Sequence, residues 1–237
     1  MANDQALKIL GIIPARGGSK GIPRKNILPI IGKPLVAWTI EAAAKSKYIN
    51  KLAVSSEDNE ILQVAEQYGA QTIRRPLKLA QDRSRIELTI LHALDYLKRK
   101  ENYEPDVVIK LYPTSPLRRT VDIDGAMKMF LKSGADSLIS VQPMGHEYLK
   151  TFLLNKKGYL VGAVNNQFPF MDRQKLPKVF WSNGAIWIFT RKFFVKKKKF
   201  FSNKTLPYFM PENLSVDLDM PKDLRRLEEI LAGRKND

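Results

Sequence analysis

The 237-residue sequence contains no cysteine, which excludes disulfides, thiolate catalysis and cysteine-held zinc or iron–sulfur centres. Histidine is almost as scarce. His92 and His146 stand too far apart in the chain to suggest a histidine-rich metal site, so any metal must be held by carboxylates. No apolar run approaches the ~18 residues needed to span a bilayer. The opening MANDQALK lacks the apolar core of a signal peptide, and the expected location is the cytoplasm. Long Ser/Gly linkers, low-complexity tracts and fixed-period repeats are missing as well. That sets solenoids and propellers aside and leaves residues 1–237 as one domain with a sizeable core. Negative charge is in short supply: 24 Asp and Glu face 40 Lys and Arg, for a formal net charge of +16. The surplus favours anionic partners such as nucleotides, acidic sugars, nucleic acid or a membrane surface, without choosing among them.

What is present is a regular alternation. Over the first two-thirds of the chain, short β-branched runs alternate with longer amphipathic stretches, the pattern of an α/β fold with a mostly parallel sheet flanked by helices. Strands are predicted at Ile9–Pro14, Leu52–Ser55, Gln71–Arg74, Val107–Leu111 and Ser137–Val141. Leu35, Trp38, Thr39 and Ala42 share one helical face, as do Ile86, Ile90, Ala93, Leu94 and Leu97, and both stripes read as core. From about Gly145 to Phe201 the alternation loosens into aromatic, basic, Pro- and Gly-punctuated sequence, which reads as an inserted or appended lobe. A final helix opened by Pro221 and carrying Leu224, Leu227, Ile230 and Leu231 is expected to pack back on the main sheet.

Three segments carry chemistry. The first, IIPARGGSKGIPRKN from Ile12 to Asn26, turns an apolar strand directly into a loop of glycines and cations. Gly17, Gly18 and Gly21 permit conformations and close approach that side chains would forbid, while Arg16, Lys20, Arg24 and Lys25 supply four positive charges. The spacing matches neither the P-loop nor the G-x-G-x-x-G fingerprint. A nucleotide polyphosphate would relieve the mutual repulsion of the cations, and a glycine-rich surface turn beside a solvated basic patch is the other reading. The second is Ser215-Val-Asp-Leu-Asp219: as a strand it would point Asp217 and Asp219 to one face, ~7 Å apart at the backbone, where two carboxylates could hold magnesium or simply be exposed. The third, Pro113-Thr-Ser-Pro-Leu-Arg118, places hydroxyls and an arginine at a strand end, where parallel sheets keep their ligands; alone it reads as a proline-bounded turn.

Taken together, ARGGSKGIPRKN, the RRP at Arg74 to Pro76, PTSPLR, the LKT at Leu149 to Thr151, RQKLP from Arg173, NGAIWI from Asn183 and the DLD at Asp217 resemble the acylneuraminate cytidylyltransferase family, in order and spacing and over nearly the whole chain. The resemblance implies a Rossmann-like fold of the nucleotide-sugar transferase type with a smaller dimerisation lobe. It implies an enzyme that joins CTP to an acidic nonulosonic sugar of the sialic, legionaminic or pseudaminic type, releasing pyrophosphate. Lys25, Asp217 and Asp219 become the catalytic residues, with Mg²⁺ on the two aspartates. Ala15, Arg16, Gly17, Ser19, Lys20 and Asn26 become the cradle of the triphosphate, and Arg75 the reader of cytosine. Tyr112, Ser115 and Asn183 fall on the sugar side, and a homodimer carries Lys150 and Arg173 across to the partner's sugar. Trp187, Phe200 and Phe201 line an acyl pocket, or serve as lobe core.

Two departures stand out. Tyr112 replaces the glutamine usual before PTSPLR, which leaves the sugar open. Arg83 and Arg85 replace small or hydroxyl residues, and either alter the nucleotide-facing loop or point outward. The same fold acting on octulosonate, or with another nucleotide, is the alternative enzyme. A basic nucleic-acid-binding protein built on the Lys196 to Lys199 run is the alternative of another class, but it leaves the aspartate pair unexplained, so neither nucleic acid nor membrane is expected as a partner.

Overall fold

The computed structural model describes residues 6–233. Along the chain its strands are β1 (Ile9–Pro14), β2 (Pro29–Ile30), β3 (Lys33–Pro34), β4 (Lys51–Ser56), β5 (Gln71–Arg74), β6 (Val107–Lys110), β7 (Ser137–Met144), β8 (Phe152–Leu154), β9 (Leu160–Gly162), β10 (Val179–Thr190) and β11 (Thr205–Phe209). The α-helices are α1 (Leu35–Ala44), α2 (Asn59–Gln67), α3 (Ile86–Glu101), α4 (Thr120–Leu131), α5 (Arg191–Lys197) and α6 (Pro221–Gly233). Seven strands form the main sheet in the order β11-β7-β10-β6-β1-β4-β5, with β10 antiparallel to both its neighbours and the other pairings parallel. The five strands expected from the sequence are all present, to within a few residues at their ends.

Parallel strands covered on both faces need apolar residues at consecutive positions, and β1 is buried at all six. Its alternate side chains feed two cores. Ile9 and Ile13 meet α1, α2 and α4 on one face, whereas Leu10 and Ile12 meet α3 and Phe194 of α5 on the other. A third cluster lies off the sheet. There Leu227 and Leu231 of α6 pack with Ile22 from the glycine loop, Leu35, Leu117, and Val216 and Leu218 of the aspartate segment. The last helix, expected to pack back on the main sheet, packs instead on the start of α1 and on loops beside the sheet.

Two other expectations change. Helix α1 buries Leu35, Val36, Ala37, Thr39, Ile40 and Ala43 and leaves Trp38 and Ala42 half-buried, because it is wedged between the first core and the third cluster and has apolar contacts on two sides. The departing segment also ends earlier than Phe201. Residues 145–178 form short 3-10 turns and the β8–β9 hairpin, but 179–190 return as β10 between β7 and β6, and Phe200 sits in the second core. The signal was obscured by Ser182-Asn183-Gly184, where a bulge breaks the pairing of β10 with β7 and Gly184 takes φ +72.

Candidate active site

The C-terminal ends of β1, β5 and β6 open into a cleft of about 500 Å³, the position at which open α/β sheets keep their ligands. One wall is the glycine loop, with Arg16, Ser19, Lys20, Gly21, Lys25 and Asn26. The opposite wall comes from Arg75 and the segment Leu79 to Thr89, and Tyr112, Pro113, Thr114, Asp219 and Met220 close the end. The two elements on which the sequence argument rested therefore meet. Lys25, itself buried, joins them: its Nζ donates to Leu218 O at 2.6 Å and to Asp219 Oδ1 at 2.8 Å. Gly21 makes this possible by close approach, since a Cβ there would collide with the Asp219 carbonyl oxygen.

Each cation of the loop has an acidic partner within the chain. Arg16 and Lys20 both reach Asp82, at 2.9 and 2.8 Å, and these contacts, Lys20's first, hold the Asp82 carboxyl below the usual range. Arg24, in a left-handed conformation, turns away to Asp58 and Glu60 of α2 and does not line the cleft. Arg75 is buried against Glu57 at 2.9 Å, and burial pulls its pKa down. Glu57 also accepts from Gly17 N at 2.7 Å, so the Gly17 amide is engaged by protein, and Gly17 is not among the residues lining the cleft. Nor is Ala15, whose side chain is core and whose N–H donates to Ser55 O. Asn26 donates to Arg16 O at 2.8 Å, and its Oδ1 is buried without a protein partner.

Residues 215–219 are not a ladder strand but an irregular extended segment, and the alternation still holds: Val216 and Leu218 are buried while Asp217 and Asp219 face out. Asp217 stands at the edge of the cleft beside Thr114 and Gly184. Desolvation by the surrounding protein and the nearby Asp219 push its carboxyl up, against a hydrogen bond from Thr114. Among the described residues no group of three or more His, Cys, Asp or Glu is arranged to hold a metal.

On the sugar side the structure redistributes roles. Tyr112 lines the cleft. Ser115 and Asn183 are buried instead: Ser115 donates to Asn183 O, and the Asn183 amide is occupied by Ser140 and Ser215 at 2.6 and 2.8 Å. They fix the bulge that brings Gly184 to the site. Arg118 is 2 % exposed and donates to Ala185 O, Tyr112 O and Thr39 Oγ1, and burial lowers its pKa to about 9. Trp187 and Phe200 do not line the cleft either; with Tyr112 they surround the ammonium of Lys110, 4.0, 4.2 and 4.3 Å from the three ring centres. Phe201 is exposed elsewhere, and Lys150 and Arg173 lie in the 145–178 segment, outside this chain's cleft lining. Arg83 and Arg85 both point to solvent.

Sequence reasoning missed Glu57, Gln81, Asp82, Ser84 and Lys110. Polar residues ahead of α3 and a lysine closing the apolar run Val107-Val108-Ile109 were the available signals.

This is the architecture of an α/β nucleotidyltransferase. A solved CMP:2-keto-3-deoxy-manno-octonic acid synthetase in complex with CTP shares the fold, with a TM-score of 0.73 at 15% identity over 96% of this chain and 99% of that one. The chain belongs to the cytidylyltransferase family, whose profile matches residues 10–217. It is 33% identical to a pseudaminic acid cytidylyltransferase of Campylobacter jejuni, over 92% of this chain and 94% of that protein. It is likewise 33% identical to a CMP-N,N'-diacetyllegionaminic acid synthase of Legionella pneumophila, over 95% and 97%. No helix among the described residues is long and apolar enough to cross a membrane.

Proposed function

We propose that this protein joins CTP to an acidic nonulosonic sugar in the cytoplasm, giving the CMP-sugar and pyrophosphate. The observation that supports this reading is the Lys25 bridge, whose ammonium joins the glycine loop walling the cleft to the segment that bears Asp217 and Asp219. The names of the relatives supply the substrate class, and the net charge of +16 suits two anionic substrates. The anomeric hydroxyl attacks the α-phosphorus, the bond from that phosphorus to the oxygen bridging to the β-phosphate breaks, and pyrophosphate leaves with the electron pair. Arg16, Ser19, Lys20 and Asn26 bind the triphosphate, Arg75 faces the base, and Lys25 offsets charge growing at the α-phosphate.

Asp217 and Asp219 fit magnesium in donor chemistry: two hard carboxylates at the edge of the cleft, the Asp217 carboxyl pushed up first by desolvation and then by the nearby Asp219. Bound there, the ion would neutralise phosphate charge and acidify the sugar hydroxyl. One carboxylate of the pair takes the hydroxyl proton as the bond to phosphorus forms.

The assembly we propose is a homodimer. The 145–178 segment and its surroundings expose Leu154, Tyr159, Leu160, Phe170, Trp181 and Phe209, more apolar surface than a monomer ordinarily leaves to water. Lys150 and Arg173, carried on that segment, then serve the partner's sugar site. The test is pyrophosphate release over a panel of nucleoside triphosphates and acidic keto-sugars, octulosonate included. CTP with a nonulosonic acid is the expected pair, and inactivity with every nonulosonic acid removes the reading. Lys25→Met and Asp217→Asn are each expected to lower kcat about a hundredfold or more.

A further inference from the structure

Lys110 is a charged group set against the second, apolar core. It ends β6 and stands directly across from Trp187 of β10 in the sheet register. Only 1 % of it is exposed, and the faces of Tyr112, Trp187 and Phe200 enclose its ammonium. Nζ donates one conventional hydrogen bond, to the Tyr112 hydroxyl at 3.1 Å. A charge buried in this way is costly, and among the described residues no carboxylate forms an ion pair with it; Glu87 at the start of α3 is the charged group that acts on it from a distance. Packing alone would be served better by methionine or leucine.

The hydrogen-bond inventory of a phenol gives the position a use. Its oxygen accepts from Lys110, which in its charged form has protons to give and no lone pair to receive one. The Tyr112 proton is therefore free to be donated, and Tyr112 lines the cleft. The Tyr112 backbone is fixed at the same time, its carbonyl accepting from Arg118 at 3.3 Å. We infer that Lys110 is a positioning residue that holds Tyr112 as an obligate hydrogen-bond donor towards the cleft, so that this position selects a substrate presenting an acceptor oxygen, such as a carboxylate or an acyl carbonyl. The inference deepens the proposed function and rests on it for the identity of the sugar. A glutamine at the same place offers both a donor and an acceptor; Tyr112 paired with Lys110 offers only the first.

The experiment combines Lys110→Met, Tyr112→Phe and the double variant, with kinetics in which sugar and CTP are varied separately. Each single change is expected to raise the KM for sugar about tenfold, the cost of one lost hydrogen bond. The KM for CTP should stay within about twofold, and the double variant should be no worse than the weaker single one. Additive effects, or a wild-type sugar KM in Lys110→Met, overturn the inference.

A second readout needs no turnover. With ¹³Cζ-labelled tyrosine, the Tyr112 resonance of the wild type should step as Lys110 titrates, and the step should vanish in Lys110→Met. Burial lowers the Lys110 pKa to about 7, against Glu87, while burial, helped by Glu87 and Asp217, pushes Tyr112 up to about 12, so that it stays protonated across that range. A flat resonance in the wild type removes the pair. A clear step in a protein that turns over no nonulosonic acid keeps the pair and removes the sugar assignment.

Discussion

The ammonium of Lys25, the residue singled out by the family resemblance, sits between the glycine loop and the aspartate segment, on Leu218 O and Asp219. What could not be read is how thoroughly the loop cations are already answered. Asp82 binds Arg16 and Lys20 where the triphosphate is proposed to sit. Asp82→Asn should therefore tighten CTP by about threefold in a calorimetric titration at low salt, and the gain should shrink at high salt, since these groups are open to solvent. Lys110 gives a prediction about stability. A lysine whose pKa is lower folded than unfolded opposes folding most where it is charged in both states, below about pH 7, and the handicap fades as pH rises towards 10.5. Lys110→Met should raise the melting temperature at pH 6 by several degrees, and by much less at pH 9.5.

Among the elements, short runs with β-branched residues were the easiest to find, and β1 and β5 match their expected spans residue for residue although only β1 is apolar throughout. Strand β10 was hidden for a physical reason. Its apolar halves are separated by Ser182-Asn183-Gly184, and the bulge that interrupts its pairing is what carries Gly184 to the site. The glycine loop was legible as a cleft-side element, but its glycines act by proximity and not by unusual φ: Gly17 and Gly21 are pressed against Asp58 and Asp219, whereas Gly18 has open space around it. Gly21→Ala should accordingly separate the loop from Asp219 and weaken CTP at least tenfold by calorimetry, while Gly18→Ala changes affinity by less than about twofold.

The whole molecule is a chain of 27.1 kDa with much apolar surface concentrated on one segment, Phe170 being 81 % exposed. Light scattering should give twice the chain mass, and Phe170→Glu with Leu154→Glu should return it to one chain while leaving CTP affinity unchanged within about twofold. Loss of sugar turnover in that variant would fit Lys150 and Arg173 acting across the interface. Composition and alternation announced the α/β class, but they could not place the 145–178 segment, because its short 3-10 turns and three-residue strands are too brief to carry a readable period.

The cluster beneath the cleft sets an order of events during synthesis. Ile22 is made early, while Val216, Leu218, Leu227 and Leu231, against which it packs, come nearly 200 residues later. During synthesis the glycine loop therefore keeps Ile22 without much of its apolar cover until residues 216–231 have been made.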